Sequence, residues 1–192
     1  MSDLPLQEIQ PASSTLNLIL TGFMGTGKTT VGALVASHMG RVFYDMDAVI
    51  EQRTGMAITG IFSQESEPYF RAIERGLCYE MALQQNLVVA TGGGALVDTN
   101  NYEVMSKTGV IVCLTADTET LTARLGQTEG RPLASRWQSL LEERQPFYDA
   151  MAYQVGTSGR SPEQVAADVI ILWNMALTSP NSPYSPVNDS DR

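Results

Sequence analysis

Positive charge is scarce in this chain. Lysine and arginine together number 12 against 21 aspartates and glutamates, a formal charge of −9, and a molecule of that sign repels nucleic acid and anionic membrane surfaces. Any anionic ligand must therefore be held by a local cluster of cations. Only two lysines occur, Lys28 and Lys107. The one histidine, His38, has no second imidazole with which to form a metal or catalytic pair and is read as a packing or surface residue. Two cysteines, Cys78 and Cys113, are too few for a disulfide scaffold in a chain of 192 residues and are expected as buried free thiols. No apolar run approaches the roughly 18 residues of a membrane span. The first fifteen residues carry no lysine or arginine and no apolar run before a small-residue cleavage site, so neither a secretory signal nor a transit peptide is visible. A soluble, cytoplasmic protein is expected, with neither nucleic acid nor membrane as partner.

What is present is ordinary for one packed domain: 43% apolar and 17% charged residues in a chain of 192. Apolar, β-branched runs at 16–20 (LNLIL), 42–47 (VFYDMD), 87–93 (LVVATGG), 109–116 (GVIVCLTA) and 153–157 (YQVGT) alternate with stretches of helical period. Val31, Leu34, Val35 and Met39 share one helical face. Phe70, Ile73, Leu77 and Met81 mark a helix over about 66–85, with Pro68 in its first turn. Val165, Val169 and Leu172 mark another over 162–176. Runs of this kind separated by helices predict an α/β fold of three layers, a five-stranded parallel sheet covered on both faces. Residues 1–15 form an N-terminal extension, 16–177 the domain, and 178–192, with three prolines and four serines, an extended or disordered tail. Between 126 and 136 the periodicity fails and GQTEGRPLASR reads as a mobile loop.

The first strand ends in Gly22, followed by Phe23, Met24, Gly25, Thr26, Gly27, Lys28 and Thr29, which satisfies GxxxxGKT between a strand and a helix. Glycines let successive N–H groups turn inward on phosphate oxygens, and the helix start adds its positive dipole end. Lys28 reaches the β and γ phosphates, and Thr29 offers a hydroxyl to Mg²⁺. Gly25, Thr26, Gly27, Lys28, Thr29 and Thr30 thus form the expected ATP phosphate site. The chain is small and lacks a guanine-reading NKxD motif, so a small-molecule kinase leads over a switch or a motor. Asp45 and Asp47, two apart at the end of the second predicted strand, are expected on one face beside the loop, one serving Mg²⁺ and the other a substrate hydroxyl. Gly92, Gly93 and Gly94 clear a corner where backbone amides approach a small polar ligand. Arg71 and Arg144 suit bidentate capture of a carboxylate. Arg131, on the aperiodic loop, places a cation that closes over the γ-phosphate, and four of the twelve basic residues fall between 124 and 144.

These motifs together resemble shikimate kinase over roughly residues 16–176: GFMGTGKTT at 22–30, FYDMD at 43–47 with IEQRTGMAITGIF after it, FRAIE at 70–74, TGGG at 91–94, RPL at 131–133 and RQPFYDAMA at 144–152. The resemblance implies a three-layer P-loop kinase fold with a mobile lid. It also implies transfer of the γ-phosphoryl of Mg·ATP to the 3-hydroxyl of shikimate, giving the 3-phosphate and ADP on the route to chorismate and the aromatic amino acids. It places Arg71 and Arg144 on the substrate carboxylate and Asp47 on its hydroxyls, with Gly92, Gly93 and Gly94 beside them. It puts Thr29 and Asp45 at Mg²⁺, Lys28 and Arg131 on the ATP phosphates, and Arg124 with Pro162 at the adenine. The catalytic set is then Lys28, Asp47 and Arg131, in a monomer. A related kinase, for example of gluconate, and a catalytically silent nucleotide-binding module are the alternatives.

Overall fold

The structure, a computed structural model, describes residues 4–126, 137–179 and Tyr184. Five parallel strands form its centre: β1 (Asn17–Thr21), β2 (Val42–Asp45), β3 (Leu87–Ala90), β4 (Gly109–Thr115) and β5 (Gln154–Gly156), in the spatial order β2-β3-β1-β4-β5. The helices are α1 (Lys28–Met39), α2 (Met46–Thr54), α3 (Ile58–Gln64), α4 (Glu67–Ala82), α5 (Thr99–Ser106), α6 (Thr118–Leu125), α7 (Trp137–Asp149) and α8 (Pro162–Thr178).

Strand alternation builds two cores. Leu18 and Leu20 of β1 point to one side and join Val88, Val110 and Val112 under Val31 and Val35 of α1 and Val165, Val169 and Trp173 of α8. Ile19 points to the other side and joins Val89, Ile111 and Cys113 under Phe70, Leu77 and Met81 of α4 and Tyr148 of α7. A strand buried on both faces must be apolar throughout, which is why the runs lack polar alternation. Because β1 lies between β3 and β4, the chain leaves the sheet in opposite directions on its two sides. The carboxyl ends of β1 and β3 therefore open onto a shared crevice. Cys78 and Cys113 are free and buried, as expected.

One boundary departs from expectation in a way that matters for the site. The second strand stops at Asp45 and does not run to Asp47. The Asp45 carboxylate accepts the Ala48 N–H at 3.2 Å and caps α2, so the chain turns into a helix at Met46, whose side chain is buried. Asp47 therefore reaches the crevice from the first turn of a helix, where its charge suits the positive dipole end, and not by strand alternation.

The residues before β1 pack onto the domain. Leu6 and Ile9 are buried in the first core, and Trp173 Nε1 donates to the Ala12 carbonyl at 2.9 Å. Ala12 N–H donates to Asn174 Oδ1 at 2.6 Å, and His38 Nε2 lies 2.6 Å from the Ile9 carbonyl. Arg41 donates to the carbonyls of Ser14 and Leu16 and stacks over the Trp173 ring at 4.6 Å. Ile9→Ala is expected to lower unfolding free energy by about 2 kcal/mol, from lost burial and the cavity left behind. Thermal melts check this, and kcat should stay at the wild-type value. Near the other end Tyr184 packs partly buried against the same core, and burial pushes its phenol up to about 12.

Candidate active site

Local backbone chemistry explains the loop after β1. Gly22, Gly25 and Gly27 hold φ of +131°, +82° and +94°, a region that L side chains rarely adopt. A Cβ on Gly22 would lie 2.1 Å from the Leu114 carbonyl oxygen, so no side chain fits where the loop crosses β4. Thr26 is buried and donates its hydroxyl to the Phe23 carbonyl at 2.8 Å, which tightens the turn. Lys28 opens α1 and folds back over the loop, Nζ donating to the carbonyls of Gly22 and Phe23 at 2.8 and 2.9 Å. Thr30 is exposed in the first turn of α1.

Thr29 donates its hydroxyl to Asp45 Oδ2 at 2.6 Å. A hydroxyl and a carboxylate side by side are hard oxygen donors of the kind Mg²⁺ takes, with phosphate oxygens and water completing its octahedron. Among the described residues no group of three or more histidine, cysteine or acidic side chains forms a metal cage.

The second wall of the crevice is the Gly92–Gly94 loop after β3. A Cβ at Gly92 would lie 2.7 Å from Glu74 Oε1 and 3.0 Å from Asp47 Oδ1, and one at Gly94 would lie 2.9 Å from both terminal nitrogens of Arg144. The absent side chains thus leave room for two carboxylates and a guanidinium to close on the loop backbone. Arg144 is buried on α7, and Arg71 on α4 donates to Glu74 Oε2 at 2.6 Å and to Glu67 Oε1 at 3.2 Å. Burial works against the Arg71 charge, but the carboxylates of Glu74 and Glu67 outweigh it and raise its pKa. Burial raises the Glu74 carboxyl, with Asp47 adding to the effect and Arg71 and Arg144 opposing it.

On the nucleotide side, Arg124 of α6 donates to the Gly25 carbonyl at 2.9 Å, to Thr157 Oγ1 at 3.1 Å and to the Thr157 carbonyl at 3.3 Å. It thereby ties the phosphate loop to the turn leading from β5 to Pro162, the exposed first residue of α8. Arg131 and the expected lid at 126–136 lie outside the described residues but for Gly126, which ends α6.

Two residues of the crevice escaped the reading of the sequence. Glu74 carried a signal, since it stands on the apolar stripe of α4 between Phe70 and Leu77, where a charge demands a partner. Tyr148 donates its hydroxyl to the Gly93 carbonyl at 2.7 Å, and nothing local in the sequence distinguishes it from a core aromatic.

What the fold and this crevice define is a class, the P-loop phosphotransferases that hand a phosphoryl group to a small hydroxylated acid. The family model for shikimate kinase matches residues 24–173. The shikimate kinase of Thermodesulfovibrio yellowstonii is 42% identical over 160 residues, covering 80% of this chain and 92% of that one. That of Geobacter metallireducens is 39% identical over 167 residues, covering 84% and 93%. The solved structure of shikimate kinase from Acinetobacter baumannii in complex with shikimate superposes with a TM-score of 0.78 at 34% identity, over 83% of this chain and 93% of that one. The chain belongs to the shikimate kinase family, and its activity is the ATP-dependent phosphorylation of shikimate.

Proposed function

We propose that the two walls of the crevice divide the reaction between them, with ATP on the Gly25–Thr30 loop and shikimate against Gly92, Gly93 and Gly94. The observation that carries this assignment is the convergence of Asp47, Glu74 and Arg144 on the side-chain-free Gly92–Gly94 backbone, at the strand end adjacent to the phosphate loop. Arg71 and Arg144 hold the carboxylate of the acid, and their fixed forks set the ring's orientation. Asp47 accepts the proton of the 3-hydroxyl as its oxygen bonds to the γ-phosphorus. The bond from that phosphorus to the bridging oxygen breaks, and ADP leaves. Lys28 and, from the lid, Arg131 neutralise charge on the transferring group. Arg124 and Pro162 flank the adenine. Thr29 and Asp45 would hold Mg²⁺, which would supply neutralisation of phosphate charge.

The domain takes in Leu6 and Ile9 ahead of β1 and runs through α8 to Thr178, with a lid near 126–136 and a tail after α8. The proposed working unit is a monomer. It acts in the cytoplasm on small molecules alone, without nucleic acid or membrane. No helix among the described residues is long and apolar enough to cross a membrane.

An ADP-release assay with and without shikimate tests the assignment through Arg144→Ala. Loss of a charge-assisted contact to the substrate is worth about 1.5–3 kcal/mol, so KM for shikimate should rise about 10- to 100-fold with KM for ATP nearly unchanged. Equal damage to both substrates would remove Arg144 from the carboxylate.

A further inference from the structure

A buried tyrosine in place of a phenylalanine needs a reason, because its hydroxyl must be desolvated and then paired. Tyr148 on α7 is 2% exposed. Its ring packs edge-on against Phe23 of the phosphate loop, with centroids 6.4 Å apart, and against Phe147 at 5.7 Å. Phenylalanine would make both of these contacts. The hydroxyl alone makes two more. It donates to the Gly93 carbonyl at 2.7 Å, and it interacts with the guanidinium of Arg144, one helical turn earlier on α7. Burial pushes the phenol up to about 12, so the group is a neutral donor at neutral pH.

Backbone bonds hold the two ends of the segment, Ala95 N–H donating to the Gly92 carbonyl at 3.1 Å and Val97 N–H to the Gly94 carbonyl at 3.2 Å, and the bond from Tyr148 holds the carbonyl between them. Gly92, Gly93 and Gly94 have no side chains to lock their dihedrals, and each carries the conformational freedom of a residue without Cβ. In a trans peptide the carbonyl and the following N–H point in opposite directions. Anchoring the Gly93 oxygen on Tyr148 therefore points the Gly94 N–H away from Tyr148 within the same peptide plane. We infer that Tyr148 is a positioning residue: its hydroxyl sets the Gly93–Gly94 peptide and steadies Arg144, so that a backbone N–H and a guanidinium meet the acidic substrate in fixed register. This rests on the assignment of Gly92–Gly94 as the acceptor loop.

Tyr148→Phe is the test, since it deletes one oxygen and keeps the ring packing. KM for shikimate should rise about tenfold, while KM for ATP stays within about twofold and kcat at saturation falls by less than about threefold. Tyr148→Leu, which loses the ring too, should add a loss of thermal stability but little further rise in KM. An unchanged KM for shikimate in Tyr148→Phe would overturn the inference, and so would a parallel rise in both KM values. Gly94→Ala reports separately on the loop, because its Cβ would displace Arg144. A shikimate-specific effect in Gly94→Ala with none in Tyr148→Phe removes the tyrosine and keeps the loop. No effect in Gly94→Ala removes the loop assignment itself.

Discussion

Lys28→Ala is expected to lower kcat by about 10²–10³-fold or more while the domain still folds, the loss typical when a preorganised charge or donor is removed from a developing negative centre. The structure shows why this lysine is preorganised. Its Nζ lies 2.8 and 2.9 Å from two loop carbonyls, so those oxygens hold the ammonium over the turn before any phosphate arrives. The side chain is only partly buried and belongs to neither hydrophobic core, so its removal opens no interior cavity. Lys107, the only other lysine, caps the end of α5 away from the phosphate loop and offers no substitute. The measurement is steady-state ADP release at saturating ATP and shikimate, paired with a thermal melt. A variant that melts like the wild type and keeps more than about a tenth of its turnover would strip Lys28 of the role. Lys28→Arg should recover only part of the loss, because a planar fork does not fit a cradle shaped for a point charge.

Glycine and lysine spacing made the phosphate loop legible because each residue type is demanded by backbone geometry that the sequence alone implies. Gly22 is glycine since Leu114 occupies the space of its Cβ, and Gly27 is glycine since the chain enters α1 through a left-handed turn. The three central strands β1, β3 and β4 were legible for a similar reason, as burial on both faces leaves a largely apolar run. The end of β2 was not. VFYDMD carries the alternation of a strand, and only the capping bond from Asp45 to Ala48 shows that the helix has already begun. Local pattern cannot separate an aspartate that ends a strand from one that caps a helix when the two events share a residue.

Long-range partnerships were the least visible part of the site. Arg71 and Glu74 are neighbours on one helix and could be paired from spacing alone. Glu74 with Gly92 and Tyr148 with Gly93 join residues 18 and 55 positions apart. Such contacts exist only because α4 and α7 pack on the same face of the sheet. The N-terminal segment follows the same logic. LPLQEIQPAS has the composition of a loose extension, yet α1, the turn after it and α8 present His38, Arg41, Trp173 and Asn174 to its carbonyls and amides. Its order comes from the surface that receives it.

Asp47→Asn is expected to lower kcat by about 10²–10⁴-fold, the range ascribed to a positioned general base. Asparagine keeps the size and one acceptor oxygen, so shikimate should still bind, with KM changed less than kcat. What it loses is the ability to take up the hydroxyl proton as the new oxygen–phosphorus bond forms. The surroundings support that assignment. Asp47 is exposed at the start of α2, with one oxygen against the Gly92 backbone. Glu74, the other carboxyl at that glycine, is buried with its Oε1 unpartnered among the described residues, and its Oε2 is taken by Arg71. Of the two, Asp47 is the one that solvent and an incoming substrate can reach. Glu74→Gln should therefore act mainly through Arg71 and appear in KM for shikimate, whereas Asp47→Asn should appear in kcat. ADP release measured across shikimate concentrations separates the two patterns. Should Asp47→Asn shift KM alone with kcat intact, the carboxylate would be a binding group, and the proton would have to leave by another route.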